Sequence, residues 1–381
     1  MKKVLVKLIL SLCSLIAVVV GAVWLLYSGG NQFQDRTEIP LFTVDQVEVV
    51  TDLPKPPGNI AVSPDNRIFF TFHPEARPDI NVAELVDGKV VAYPSVESQP
   101  GGSEQYAFQE VLSIRVDQQN RLWALDNAFH GTGKPRILSY DLSTNQLIHS
   151  YDFPDEVMPF GSHANDFQVS ADGRYIYIAD ASIIAKKPAI VVYDSVNKVS
   201  RRVLENDISV RSEFFTPVVQ GREMEVFGIF SIRPGVDSIA LDKKGEWLYF
   251  AAVTSNYMYR ISTDLLINPN TSSKVLKNSV QQYALKSMSD GITMDKDDSI
   301  YITDPEHSAI LKLDSNGNLS TLLKDKMFRW PDGFSFGPDD WLYFTGSALH
   351  QVIGKTPGYI ESHSPYQIFR FKPGSSGIAG H

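Results

Sequence analysis

The stretch DGITMDKDDSIYITD, residues 290–304, consists of two short apolar strands joined by a tight polar turn. Alternation of apolar and polar residues, bounded by Asp and Gly, is typical of an antiparallel β-hairpin. Similar stretches begin at residues 58, 112, 166, 237 and 332. Successive copies start 54, 54, 71, 53 and 42 residues apart, which is close to the length of a four-stranded propeller blade.

Further alternating runs follow several of these copies, for example at residues 309–323, and supply the outer strands of the blades. After residue 30 no long segment repeats its apolar residues with the helical period of 3.6. The pattern therefore predicts an all-β chain that forms a six-bladed β-propeller over residues 58–381. We expect the runs at 41–50 and 367–374 to pair and close the ring, because closure removes the exposed edges of an open sheet.

The N-terminal segment has a different character, since the run from Leu8 to Tyr27 contains no charged residue and follows three lysines. Twenty residues in a helix span the hydrocarbon layer, and the run is longer than that of a cleaved signal peptide. Residues 1–30 are therefore predicted to be an uncleaved signal or membrane anchor with a transmembrane helix. Residues 31–57 would be a linker that includes the ring-closing strand.

The same segment predicts a location, because positively charged residues beside a membrane helix stay in the cytoplasm. The sequence therefore predicts a single-pass protein of a bacterial inner membrane, held through residues 8–27, with the propeller on the periplasmic or extracellular side. The single cysteine, Cys13, lies in the apolar run, so no disulfide framework is expected in the propeller.

Composition excludes one class of partner. Of the 381 residues, 43% are hydrophobic and 21% are charged, which suits a large globular core. The formal net charge is −9 and the basic runs are short. Nucleic-acid binding needs clustered Lys and Arg, so we expect no nucleic-acid partner and look for a small-molecule ligand instead.

Carboxylates recur at both ends of the inner hairpins. The hairpins start at Gly58, Leu112, Asp166, Asp237, Asp290 and Asp332, and they end at Phe72, Asp126, Asp180, Ala252, Asp304 and Gly346. In a propeller these positions share one face of the central channel, where several carboxylates repel one another unless a cation compensates them. A protonated amine would serve, and so would a divalent cation, Ca²⁺ above all, because hard ions prefer carboxylate and amide oxygens.

These positions define the candidate site residues. The predicted ligand-binding residues are Asp126, Asn165, Asp166, Asp180, Asn256 and Tyr257, and the predicted metal ligands are Asp237, Asp290, Asp304 and Asp332. The alternative is structural, since an Asp at the end of a strand often accepts hydrogen bonds from nearby backbone amides as an Asx turn.

Three histidines lie close to the hairpin ends and are candidate acids or bases near neutral pH, namely His130, His163 and His307. The alternative for each is a loop histidine that bonds a backbone carbonyl. No nucleophile elbow, HExxH pair, Walker loop or dinucleotide fingerprint follows a suitable strand.

Several segments, taken in order, resemble the major royal jelly and yellow proteins over about residues 40–372. They include FFTFHPEARPDINVAEL from Phe69, RLWALDNAFHGTGKPRILSYDL from Arg121, GVDSIALDKKGEWLYFAA from Gly235 and WPDGFSFGPDDWLYFTGS from Trp330. The resemblance implies a six-bladed propeller of a mostly secreted family. Some members are implicated in dopachrome conversion, and others bind biogenic amines in the central pocket.

A more distant similarity is to the gluconolactonase and senescence marker propellers, where Glu, Asn and Asp hold a divalent metal. Asp290 or Asp332 would match the Asp ligand, but Gly58 stands where that family has its Glu.

Three functions follow. The first is the binding of a small cationic or metal-linked ligand in an acidic central pocket. The second is an enzyme, either a metal-assisted lactonase that uses the aspartates and Asn165 or a tautomerase-like isomerase that uses a histidine. The third is a platform for protein interactions.

Overall fold

Six four-stranded antiparallel sheets form the blades of a propeller, which confirms the all-β, six-bladed fold. The computed structural model of the chain describes residues 2–226 and 228–380. Helix α1, Lys2–Tyr27, and strand β1, Glu48–Leu53, precede the first blade.

The first three blades follow one another along the chain. Blade 1 contains β2 Pro57–Val62, β3 Ile68–Phe72, β4 Val82–Val86 and β5 Lys89–Ala92. Blade 2 contains β6 Val111–Val116, β7 Arg121–Asp126, β8 Arg136–Asp141 and β9 Gln146–Asp152, with helix α2 Ala128–Gly131 after β7. Blade 3 contains β10 Ala164–Val169, β11 Tyr175–Asp180, β12 Ala189–Asp194 and β13 Val199–Val203.

An insertion at residues 204–235 separates blades 3 and 4, as the longest spacing between copies predicts. It contains two small ladders, β14 Val218–Val219 with β15 Arg222–Glu223, and β16 Glu225–Val226 with β17 Phe230–Ser231. Blade 4 contains β18 Val236–Leu241, β19 Trp247–Ala252, β20 Tyr257–Ser262 and β21 Gln281–Leu285, with helices α3 Thr263–Ile267 and α4 Ser273–Ser279 before β21.

The last two blades complete the ring. Blade 5 contains β22 Ile292–Met294, β23 Ile300–Asp304, β24 Ala309–Leu313 and β25 Leu319–Lys324. Blade 6 contains β26 Pro331–Phe336, β27 Leu342–Gly346 and β28 Tyr366–Phe371, with helix α5 Pro357–Glu361 before β28. Short 3₁₀ helices lie at Val44–Gln46, Pro74–Ala76, Pro338–Asp340 and Leu349–Gln351.

Strand β1 supplies the fourth strand of blade 6. It pairs antiparallel to β28, with Glu48 opposite Arg370 and Leu53 opposite Tyr366. The predicted pairing of the two ends is confirmed.

The core lies between neighbouring blades, in a series of apolar clusters around the ring. Trp123 of β7 and Val191 of β12, for example, are fully buried in the cluster between blades 2 and 3. Every residue of the innermost strand β2 is buried, whereas exposure alternates along the outer strand β9. The continuous apolar runs therefore mark the innermost strands, and the alternating runs mark the rim.

The C-terminal segment 374–380 crosses one end of the channel. The amide of Gly380 donates to the carbonyl of Phe336, and the amide of Val116 donates to the carbonyl of Gly380. Val116 and Phe336 are the last residues of the innermost strands β6 and β26. Access to the channel is therefore from the end at which these strands begin.

The prediction of a transmembrane helix, and with it a single-pass inner-membrane protein with a periplasmic or extracellular propeller, is wrong. Within the described part of the chain, no helix combines the length and apolar character needed to cross a membrane.

Ring closure makes a prediction for β1. Leu53 is 1% exposed in the cluster between blades 6 and 1, whereas Val49 on the same strand is 48% exposed. We expect Leu53→Ala to lower the free energy of unfolding by about 2–4 kcal/mol, because it leaves a cavity in that cluster. Val49→Ala, the matched control, should cost roughly 0.5 kcal/mol. Urea denaturation measures both, and equal losses would contradict the anchoring role of β1.

Candidate functional site

One cavity of about 120 Å³ opens at the end of the channel where the innermost strands begin. All six hairpin-start residues line it, at matching positions of the six blades: Gly58, Leu112, Asp166, Asp237, Asp290 and Asp332. The shared register of the hairpins produces this arrangement, because each blade presents its first inner residues to the same mouth.

Four of these residues form what we call the aspartate ring: Asp166, Asp237, Asp290 and Asp332. Burial raises the pKa of Asp237 and of Asp332 well above the usual range, and the neighbouring carboxylates raise both further. Burial also raises the pKa of Asp290 to about 6. Among the ion pairs found between described residues, none includes Asp237, Asp290 or Asp332. These three carboxyl groups therefore have no ion-pair partner among the described residues, and a cation bound beside them would favour their ionised forms.

Asp166 differs from the rest of the ring because it has a resident partner. The guanidinium of Arg115, which is 1% exposed, donates from Nη2 to both carboxylate oxygens of Asp166 at 2.8 and 2.7 Å. Arg115 Nη1 donates to Asn59 Oδ1 at 2.6 Å, and Ser113 Oγ donates to Asp166 at 2.6 Å. Burial raises the pKa of Asp166, and the charge of Arg115 opposes that rise.

The remaining wall of the cavity is largely apolar. Trp330 lines it and donates its indole N–H to the Asp290 carboxylate. Ile183, Ile232 and Leu349 come from connections between or within blades, and Ile232 belongs to the insertion 204–235. The insertion thus serves as part of the pocket wall, which excludes water from the ring.

A second group of titratable side chains lines the same cavity, and we call it the histidine cluster: His73, Glu75, Glu110, His130 and His163. His130 Nδ1 lies 3.0 Å from Glu110 Oε1, and its Nε2 lies 3.3 Å from Glu75 Oε1. Burial alone would lower the pKa of His130, but these two hydrogen bonds raise it to about 10. His130 is therefore an imidazolium at neutral pH.

His163 has the opposite protonation state. Its ring lies against the His130 ring, with 4.6 Å between centroids, and burial holds its pKa well below the usual value. The Nδ1 atom of His163 is buried without a hydrogen-bond partner among the described residues, and so is Nδ2 of the neighbouring pocket residue Asn127.

The backbone that carries His130 is strained. Ala128, Phe129 and His130 have φ angles of 55°, 58° and 55°, in the left-handed region that non-glycine residues rarely adopt. Each such residue costs roughly 1–3 kcal/mol, and strain of this kind concentrates at functional sites.

The aspartates at the hairpin ends lie outside the cavity and support loops. Asp126 pairs with Arg136 at 3.0 Å and accepts the amide of Glu110 at 2.9 Å. Asp180 pairs with Arg202 at 2.6 Å and accepts the amide of His163 at 2.7 Å. Both aspartates therefore have the structural role that was the alternative to ligand binding. They accept backbone amides and so fix the backbone at Glu110 and His163, two members of the histidine cluster.

Other predicted residues are divided between the cavity and the rest of the molecule. Asn165, His130 and His163 line the cavity. Asp304 holds His307, whose Nδ1 is 2.9 Å from it and whose Nε2 is 3.4 Å from Asp35, so this pair fastens the N-terminal segment to blade 5. Asn256 donates to Glu213 at 2.9 Å, and Tyr257 begins β20; neither lines the cavity.

Sequence reasoning missed several cavity residues, namely Asn59, His73, Glu75, Glu110, Asn127 and Trp330, and it missed Arg115, which binds two of the lining residues. A signal existed for two of them. His73 and Glu75 follow the end of the first hairpin just as Asn127 and His130 follow the end of the second, so comparison of equivalent loops would have found them.

The residues do not fit the predicted Ca²⁺ site. In the described part of the chain, no group of three or more His, Cys, Asp or Glu side chains has an arrangement that could hold a metal ion. Asp166 and Asn59, which have suitable oxygens, are engaged by Arg115. At Gly58 an added Cβ would lie 2.9 Å from Thr71 Oγ1, so a larger ligand residue there would require Thr71 to move.

Fold and site together define a six-bladed propeller with one acidic pocket. Residues 109–337 match the sequence model of the family described as Major royal jelly protein, and the chain belongs to this family. Major royal jelly protein 7 of Apis mellifera is 25% identical over 181 residues, which cover 44% of this chain and 39% of that protein. Major royal jelly protein 3 of Apis mellifera is 22% identical over 202 residues, 50% of this chain and 35% of that protein. The matches thus span less than two fifths of these relatives.

Solved structures share the fold at low sequence identity. A luciferin-regenerating enzyme superposes with a TM-score of 0.56 at 12% identity, covering 88% of this chain and 97% of that one. Regucalcin of Agrobacterium tumefaciens, a calcium-binding protein, has a TM-score of 0.56 at 12% identity over 87% and 96% of the two chains. A gluconolactonase of Xanthomonas campestris has a TM-score of 0.53 at 12% identity over 86% and 88%.

The two kinds of aspartate predict opposite effects on stability. Asp180→Asn breaks the buried ion pair with Arg202, which then keeps only the exposed Glu205 as a carboxylate partner, and should lower the free energy of unfolding by about 3 kcal/mol. Asp290→Asn should raise it at pH 8 by about 1 kcal/mol, because the raised pKa of Asp290 means that its ionised form destabilises the folded state.

The pH dependence provides the control for Asp290→Asn. Above a pH of about 6 the wild-type carboxylate is charged, whereas near pH 4 it is protonated in the folded state and resembles the asparagine. The increase in the free energy of unfolding that Asp290→Asn gives at pH 8 should therefore disappear at pH 4. Urea denaturation at both pH values measures it, and a loss of stability at pH 8 would show that Asp290 has a structural role like that of Asp180.

Proposed function

We propose that the protein binds a small organic cation, a protonated amine, in the aspartate ring. The observation that carries the proposal is that the carboxyl groups of Asp237, Asp290 and Asp332 line one cavity, closed at its far end, without an ion-pair partner among the described residues. A bound ammonium group would offset the repulsion among these carboxylates and donate hydrogen bonds to them.

The shape and lining of the cavity support the same ligand class. Trp330 offers an aromatic ring beside Asp290, and contact between a cation and an aromatic ring contributes about 0.5–2 kcal/mol. The apolar residues around the mouth suit the carbon skeleton of an amine. The proposal also agrees with what the family resemblance implies, amine binding in the central pocket.

Calorimetry with tyramine as the probe tests the proposal. We expect one binding site per chain and at least about tenfold weaker affinity at pH 5 than at pH 8, because protonation of Asp290, with a pKa of about 6, removes part of the attraction. Asp237→Asn and Asp332→Asn should each weaken binding by about tenfold or more.

Two controls separate charge recognition from simple burial of an aromatic ring. The neutral analogue 4-ethylphenol should bind much more weakly than tyramine. Asp314→Asn, in the exposed turn between β24 and β25, should leave the affinity unchanged. Equal affinity for tyramine and 4-ethylphenol would overturn the proposal.

A second candidate function, proton-transfer catalysis of the tautomerase type, is favoured by the opposed protonation states of His130 and His163. Acid and base assignments follow from neighbouring groups whose pKa values are pushed apart. Neutral His163, with an unpartnered Nδ1 in the cavity wall, would accept a proton from the substrate, and the His130 imidazolium would return one. Glu75 and Glu110 would hold His130 in position.

Turnover of dopachrome by the wild type and by His163→Gln tests this function. Loss of the base should reduce kcat by about 100-fold or more, while tyramine affinity should change little because the aspartate ring is intact. His307→Gln is the matched control and should retain full turnover, since His307 lies outside the cavity. Unchanged turnover in His163→Gln would remove His163 as the base.

A further inference from the structure

We propose that Arg115 is a resident counter-cation that occupies the place of a divalent cation in this pocket, so that Arg115 makes the site selective for organic cations over metal ions. The inference goes beyond amine binding and is tested separately from it.

The first support is the geometry of the guanidinium. Asn59 belongs to β2, Arg115 to β6 and Asp166 to β10, so one side chain joins the innermost strands of three successive blades. Arg115 contacts Asn59 Oδ1, both oxygens of Asp166 and the carbonyl oxygen of Ile114, the last at 2.9 Å. Carboxylate, amide and carbonyl oxygens are the ligand atoms that a hard divalent cation prefers.

The second support is competition for these oxygens. Asn59 and Asp166 both line the cavity, and both direct their oxygens at the guanidinium. A divalent cation bound to the same oxygens would lie against a positive charge that is 1% exposed and has no other carboxylate partner among the described residues. The repulsion would be strong, because buried charges are poorly screened.

The third support is what remains of the ring. With Asp166 engaged, the free carboxyl groups are Asp237, Asp290 and Asp332, and Asp290 accepts a hydrogen bond from Trp330. In the described part of the chain these groups have no metal-binding arrangement, yet their oxygens can accept hydrogen bonds from a ligand that brings its own donors. Arg115 thus determines which kind of cation the pocket accepts.

The test is a gain of metal binding when Arg115 is removed. Wild-type protein should show no saturable binding of Ca²⁺ by calorimetry at concentrations up to about 10 mM, well above the range of weak extracellular sites. Arg115→Ala should bind one Ca²⁺ per chain at least tenfold more tightly than wild type. The double variant Arg115→Ala, Asp166→Asn should lose that binding again, because the freed carboxylate is gone.

Thermal unfolding provides the second readout, because Arg115→Ala leaves the buried Asp166 without its ion-pair partner and should lower Tm. Ca²⁺ should restore part of the lost Tm, and so should guanidinium chloride at about 10 mM, which supplies the missing group without denaturing. NaCl at the same ionic strength should not. If Arg115→Ala does not fold, the same measurements are made on Arg115→Met, which keeps more of the side-chain volume.

Two results would overturn the inference. One is saturable Ca²⁺ binding by wild-type protein with Arg115 in place. The other is a folded Arg115→Ala or Arg115→Met protein that responds neither to Ca²⁺ nor to guanidinium. Failure of tyramine to bind would leave both of these measurements unaffected, so the amine proposal and the counter-cation proposal are judged independently.

Discussion

The pairing of β1 with β28 is the interaction on which the rest of the structure depends. It joins residues from the two ends of the propeller in one sheet, in which β1 is the outermost strand and covers the edge that β28 would otherwise expose. Only a closed ring directs the first inner residue of every blade to one mouth. The aspartate ring therefore exists because strands about 320 residues apart form hydrogen bonds with each other.

Aspartates at equivalent positions of the hairpins have two different roles. Those at the hairpin ends, such as Asp180, are fully buried and neutralised by an arginine and by backbone amides, so they hold loops in place. Those at the hairpin starts face the cavity, and apart from Asp166 none of them forms an ion pair with a described residue. Burial without compensation destabilises a folded protein, and such groups are retained where a ligand supplies the missing charge.

The aspartate ring and the histidine cluster complement each other in the pocket. The aspartate ring attracts a cation, while the histidine cluster carries its own internal compensation, since Glu75 and Glu110 neutralise His130. A ligand bound by the ring, as we propose, would therefore meet the neutral imidazole of His163 in the same cavity. Binding and proton transfer are compatible functions of one pocket, and the second requires the first to position the substrate.

The sequence by itself determined the class of the fold, the number of blades, the closing strand and the register that brings the hairpin starts together. These features depend on local alternation and on repeat length, which are visible in one chain. It could not separate the cavity aspartates from those that support loops, because both precede or follow apolar strands. Tertiary structure made that distinction through partners such as Arg115, which is 51 residues from Asp166 in the chain and 56 from Asn59. The histidine cluster and the mismatch with Ca²⁺ were decided in the same way, since side chains from different blades meet only when the ring is closed.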